Sequence, residues 1–108
     1  MKSIMQEKDG TCYLCKKFEM DYDTKPCDEH HAIYGFANRK LSEKYGLKVY
    51  LCREKHHEYG KMSVHQNPHI RKLVCADAQI AFNRYYPGLD FKSIFGKNWI
   101  DENGDFIE

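Results

Sequence analysis

Apolar residues in this chain recur with helical spacing over one long stretch and alternate over one short one. After Asn67-Pro68 come Ile70, Leu73, Val74, Ala78, Ala81, Phe82 and Tyr85 on one helical face. Asn67 suits the cap, Pro68 the first helical position, and Pro87-Gly88 ends the run. Asp90 then caps a short helix through Phe91, Ile94 and Phe95, with Trp99 and Ile100 beyond it as core anchors. The alternating stretch is Leu47-Lys48-Val49-Tyr50-Leu51, a strand. The signals upstream are shorter. Arg39 to Tyr45 reads as a helix ended by Gly46, and Glu29 to Tyr34 as a strand broken by Gly35. Cys52 to Tyr59 reads as a helix start stopped by Gly60. Thr11 to Phe18 reads as a metal-knuckle turn between short strands, and 21–28 as a polar loop. Residues 1–9 read as a frayed leader and 101–108 as a peripheral acidic tail.

Together these elements predict an α+β fold in one domain. A zinc-knuckle hairpin and a ββα unit occupy 12–65, and a helical packing segment occupies 67–100. A chain of 108 residues has room for one modest core. Charged residues at 31% and a mean hydropathy of -0.76 point to a soluble chain. No stretch approaches the roughly 18 consecutive apolar residues of a membrane span. The first residues lack the apolar core of a secretory signal, which makes the cytoplasm the expected compartment, that of a bacterial host if the chain is phage-encoded. Net charge is +1 and selects no partner, but its distribution does more. Residues 31–57 carry six Lys/Arg against two Asp/Glu, a basic centre between acidic ends. Such a patch can meet phosphates or simply be a solvated face.

The five cysteines and six histidines change the picture most. An odd cysteine count without a secretion signal favours metal or free thiols over a disulfide framework. Cys12-x2-Cys15 presents two thiolates from one tight turn, the spacing that serves a tetrahedral ion. Two pairs compete to complete the set. Cys52 with His56 lies at a strand-to-helix turn, while Cys27 with His30 has the commoner x2 gap. The first choice gives every residue of the two clusters a task except Cys27, and is preferred for that reason. Cys75 lies among apolar neighbours of the long helix and reads as a core residue.

Glu29-His30-His31 at a strand, then Asn38, then Leu51-Cys52 at a strand end and His56-His57, resembles the HNH (ββα-metal) endonuclease family. The resemblance covers about residues 12–65 and rests on the order and spacing of individually weak motifs. The run from Asn38 to Gly46 and the Val64-His65-Gln66-Asn67 sequence are also similar to small HNH proteins of bacteriophages. The resemblance implies metal-dependent hydrolysis of DNA in a phage or mobile-element context. It implies a structural zinc on Cys12, Cys15, Cys52 and His56. A catalytic divalent ion such as Mg²⁺ or Mn²⁺ would sit on His30 and His57, with His65 as candidate third ligand from a loop. It makes His31 the general base and Asn38 the residue that ties down the base's loop. Two departures stand out: Cys52-x3-His56 is one residue longer than the family's usual gap, and the pair His65 and His69 straddles Pro68.

The chemistry fits these residue types. Phosphodiester hydrolysis needs an activated water and charge stabilisation at the phosphoryl group, which a divalent ion can provide. A neutral imidazole can accept the water's proton near neutral pH. Adjacent histidines on a strand point to opposite faces, so one can hold metal while the other serves as base. Glu29 is either an orienting carboxylate or a surface one. Arg39, Lys40 and Lys44 are candidate phosphate contacts. Two rival readings remain: a non-catalytic zinc module that binds nucleic acid, and a protein-interaction module presenting Phe91, Phe95 and Trp99.

Overall fold

A computed structural model describes residues 1–107. Two antiparallel strands, β1 (Cys27–His31) and β2 (Lys48–Cys52), sit at the centre. Four α-helices accompany them among the described residues: α1 (Tyr13–Glu19), α2 (Phe36–Tyr45), α3 (Pro68–Tyr85) and α4 (Phe91–Phe95). The fold is α+β, with the long C-terminal helix in place. The strand register pairs His30 with Val49 and His31 with Lys48. Strand alternation therefore puts Asp28 and His30 on one face, and Glu29 and His31 on the other.

The helix ends follow local chemistry. Asn67 accepts from the backbone N–H groups of His69 and Ile70, and Pro68 occupies the first turn of α3. Gly46 closes α2 at φ 74°, where its backbone also lies against the Lys2 carbonyl, leaving no room for a side chain. The core joins Leu14, Ile33, Val49, Leu51, Val64, Val74 and Phe82 to Phe91, Phe95 and Trp99. Because Phe91, Phe95 and Trp99 are 2%, 4% and 4% exposed, they cannot form an interaction surface, and that rival reading is withdrawn.

Four local expectations need correction. The chain enters α1 directly after Cys12, instead of a strand, because the Cys12 sulfur accepts from the Cys15 N–H and caps the helix. Only the isolated Thr11–Thr24 bridge remains of the expected hairpin. Residues 1–9 are not frayed. Ser3 donates to the Lys48 carbonyl, and the Gln6 side chain accepts from the Tyr50 N–H while donating to the Thr11 carbonyl. This segment thus satisfies the outer edge of β2, which would otherwise expose unpaired backbone groups. The acidic tail also folds back: Ile100 bridges Phe106, and the Ile107 N–H donates to the Trp99 carbonyl. Last, the expected helix start after Cys52 is a five-residue π-helical turn, Arg53–His57.

Candidate metal centres

Cys12 and Cys15 reach inward from the start of α1, Cys52 from the end of β2 and His56 from the π-helical turn. All four are buried, and their ligand atoms lie within 4.8 Å of one another. The His56 Nδ1 atom is 3.4 Å from each of the three sulfurs, and the Cys15 and Cys52 sulfurs are 3.7 Å apart. Zinc bonds of about 2.3 Å to sulfur and 2.0–2.1 Å to nitrogen give tetrahedral edges of about 3.8 Å between sulfurs and about 3.5 Å between sulfur and nitrogen. The observed spacings match a four-coordinate site that can hold a metal such as zinc.

The thiols' ionisation points the same way. Burial raises the Cys12 pKa, but His56 and the backbone amides of Cys52 and Cys15 outweigh it and bring the thiol down to about 6. Burial pushes Cys15 up, and pushes Cys52 up to about 12, with Cys12 adding to both shifts. One thiolate forms readily; three together need a cation among them. Lys25 donates to Cys15 at 3.0 Å from outside the cluster. Cys27 stays outside it too, with its sulfur 3.8 Å from the Gly10 carbonyl. The cluster is therefore built from Cys52 and His56, and the competing Cys27 and His30 pair is not assembled.

The π-helical turn accounts for the long Cys-x3-His gap. Its i→i+5 bond, from the Glu58 N–H to the Arg53 carbonyl at 2.9 Å, widens the backbone by one residue. His56 then turns into the cysteine cluster while His57 turns toward β1. Gly60, three residues beyond it, is required, since a Cβ there would run into the Lys55 carbonyl oxygen. The chain can then fold back, with the Val64 N–H donating to the His56 carbonyl and the His65 N–H to that of His57.

That return assembles a second cluster. His30, His57 and His65 bring their ligand nitrogens within 4.8 Å of one another. The Nε2 atoms of His57 and His65 are 3.2 Å apart, and the buried Nε2 of His30 has no hydrogen-bond partner. An orphaned buried nitrogen is costly unless something else binds it. Burial, with His57 and His65 nearby, holds the His30 pKa down to about 3, so its imidazole is neutral, as a metal ligand must be. His57 uses Nδ1 toward Asp28 Oδ2 at 3.0 Å, which leaves Nε2 for a metal. Asp28 is itself gripped by Arg53 through two bonds of 3.0 and 2.7 Å. Arg53 chiefly, with His57, lowers the Asp28 carboxyl to about 2, which keeps it ionised. A carboxylate behind a ligand imidazole fixes its tautomer and raises its basicity. Asp28 was missed in the sequence, although it sits two residues before His30 and so shares its face.

His31 lies on the other face of β1 yet lines the same hollow as the trio, together with Tyr34, Arg39 and Glu58. Its Nε2 is 3.0 Å from Glu43 Oε1 and 3.8 Å from Glu29 Oε1. Lys48, nearly buried, bonds both Glu43 oxygens at 3.0 and 3.2 Å. The N-terminal ammonium, His31 and Lys48 lower the Glu43 carboxyl to about 2. Asn38 donates to the Tyr34 carbonyl at 3.3 Å and the Phe95 carbonyl at 3.5 Å, fixing the bend between β1 and α2 against α4. Of the basic candidates, Arg39 lines the histidine hollow and Lys40 an adjoining one with His31, Phe36 and Glu43. Lys44 instead lies over the Tyr45 ring at 5.4 Å and borders neither. No helix among the described residues is long and apolar enough to cross a membrane.

No protein-family model matches the chain, and no curated protein or solved structure matches it significantly.

Proposed function

We propose that this protein is a metal-dependent endonuclease of the HNH type, hydrolysing DNA phosphodiester bonds, in a phage or mobile-element setting. The observation that carries the reading is the second cluster. Three imidazole nitrogens converge beside His31, with Asp28 behind His57 and Glu43 behind His31. A structural zinc alone would need none of these.

In this reading Cys12, Cys15, Cys52 and His56 would hold zinc, and His30, His57 and His65 would hold a divalent ion such as Mg²⁺ or Mn²⁺, the three imidazole donors suiting Mn²⁺ better than the oxygen-seeking Mg²⁺. Bound there, that ion would supply positive charge to the phosphoryl and leaving oxygens. His31 takes the proton of the attacking water. Its Nε2 proton is shared with Glu43, which leaves Nδ1 as the basic nitrogen. The water oxygen bonds to phosphorus, the bond to one sugar oxygen breaks, and solvent returns a proton to that oxygen. Arg39 and Lys40 meet the backbone phosphates, while Asn38 keeps the β1–α2 bend in place.

The test compares plasmid cleavage against metal concentration for wild type, His31→Ala, His30→Ala and His57→Ala. Losing a positioned base costs about 10²–10⁴-fold in rate, and more metal cannot restore it. Losing a ligand lowers metal affinity, so His30→Ala and His57→Ala should regain part of their activity at high Mn²⁺. Full activity in His31→Ala would remove the hydrolytic mechanism and leave a zinc module that binds nucleic acid.

A further inference from the structure

Most cations around the strands already have carboxylate partners: Arg53 with Asp28, Lys48 with Glu43 and Glu29, Lys25 with Asp21, Lys55 with Glu19. Two guanidinium groups beside the histidine hollow do not. Arg39, exposed on α2, lines the hollow and forms no ion pair among the described residues. Arg71, in the first turns of α3, likewise forms none, and its Nε is buried without a hydrogen-bond partner. The Arg71 guanidinium lies 4.8 Å above the Tyr34 ring, and Tyr34 lines the same hollow. Tyr34 is held in turn against the buried Trp99, at 5.4 Å between ring centroids.

We infer that Arg71 and Arg39 form a two-armed clamp for a phosphate group in front of the histidine trio. This rests on the reading of that trio as a metal centre acting on nucleic acid. The Tyr34 ring holds the Arg71 guanidinium by its charge, and the Nε–H is left without an acceptor. The fork is thus oriented before any ligand arrives, and its donors stay available for the paired oxygens of a phosphate. An orphaned Nε–H is costly in the free protein, and an anion that pairs with it removes that cost. The two arginines come from different helices, α2 and α3, so the clamp exists only in the folded chain. Arg71 lies outside the basic centre of the sequence, and its role is set by Tyr34.

The test follows the side-chain Nε–H resonances of both arginines in the full-length, zinc-loaded protein as inorganic phosphate is added. The Arg71 and Arg39 signals should shift together and saturate. Arg71→Gln should weaken phosphate binding, and raise KM for DNA, by about ten- to a hundredfold, the range expected for a lost charged hydrogen bond. Arg71→Lys, which keeps the charge without the fork, should recover only part of this. An Arg71 resonance unmoved by phosphate overturns the clamp, and because that is measured on wild type it does not depend on how the variants fold. Unchanged phosphate binding in Arg71→Gln overturns it as well. The two readings separate cleanly: saturable shifts at Arg71 in a protein that cleaves nothing would retain the clamp and remove the hydrolysis, whereas cleavage with unaltered KM in Arg71→Gln would do the reverse.

Discussion

The Asp28 carboxylate stands 3.0 Å from Nδ1 of His57, on the side of the ring away from His30 and His65. This one contact decides which nitrogen of His57 is presented to the trio. Replacing Asp28 with Asn or Ala should therefore weaken the second metal by about 10–100-fold while leaving the cysteine site loaded. Calorimetric titration of Mn²⁺ into zinc-loaded protein measures it. Equal Mn²⁺ affinity in wild type and Asp28→Ala would show that the carboxylate serves only Arg53.

The cysteine cluster should bind one zinc tightly, and its removal should unfold the chain, because folding brings the four ligands together from α1, β2 and the π-helical turn. Cys52→Ser should lose both zinc and helicity. Cys27→Ser, whose sulfur faces Gly10, should keep both. Metal content by mass spectrometry with circular dichroism separates these outcomes, and the opposite pattern would place the site on Cys27.

Gln6→Ala should destabilise the fold by about 1–3 kcal/mol, since it strips partners from the buried Tyr50 N–H and Thr11 carbonyl at once. Urea unfolding measures this. A variant as stable as wild type would mean that water replaces both bonds.

Acid should destabilise the protein well above the carboxylate range. His30 titrates at about 3 in the fold, against about 6.5 in an unfolded chain, with burial the main cause. The unfolded state therefore takes up the proton first. His30's contribution is complete above about pH 6.5 and is lost as pH falls from there toward 3. Unfolding free energies at about pH 7.5 and 5.5, with zinc retention followed in parallel, should fall for wild type and fall less for His30→Asn. Identical slopes would assign the effect to other groups.

Neutralising Arg39 and Lys40 should weaken DNA binding about equally on unrelated sequences and flatten its salt dependence by about one unit of slope for each lost phosphate contact. Lys44→Gln should change it less, because Lys44 lies over Tyr45, away from both hollows. Binding measured against salt concentration distinguishes them, and a larger effect from Lys44 would move the DNA path onto the far end of α2.

Much of the architecture was legible locally. The long helix announced itself through Asn67, Pro68 and its apolar spacing, and the structure places α3 at Pro68–Tyr85. Leu47 to Leu51 predicted β2, and Gly46 the end of α2. Helix caps, apolar periodicity and metal-ligand spacing act over a few residues, so a sequence can carry them. The residue types of both clusters were legible in the same way.

What joined them was not. The sequence preferred Cys52 over Cys27 only by leaving no histidine without a task, whereas the fold decides it by which thiol the strand end turns toward α1, the two standing directly opposite each other in the register. Asp28, Glu43 and Arg71 drew no attention in the sequence. Each gains its role from a partner in another element: His57 in the π-helical turn, His31 in β1, Tyr34 at the bend after it. The leader looked disordered because its bonds run to β2 some 45 residues away. By itself the sequence determined which side chains could bind metal and where β2, α2, α3 and α4 would form. Only the tertiary structure decided which of those side chains meet, because hydrogen bonds and coordination act over a few ångströms in space, whatever the separation along the chain.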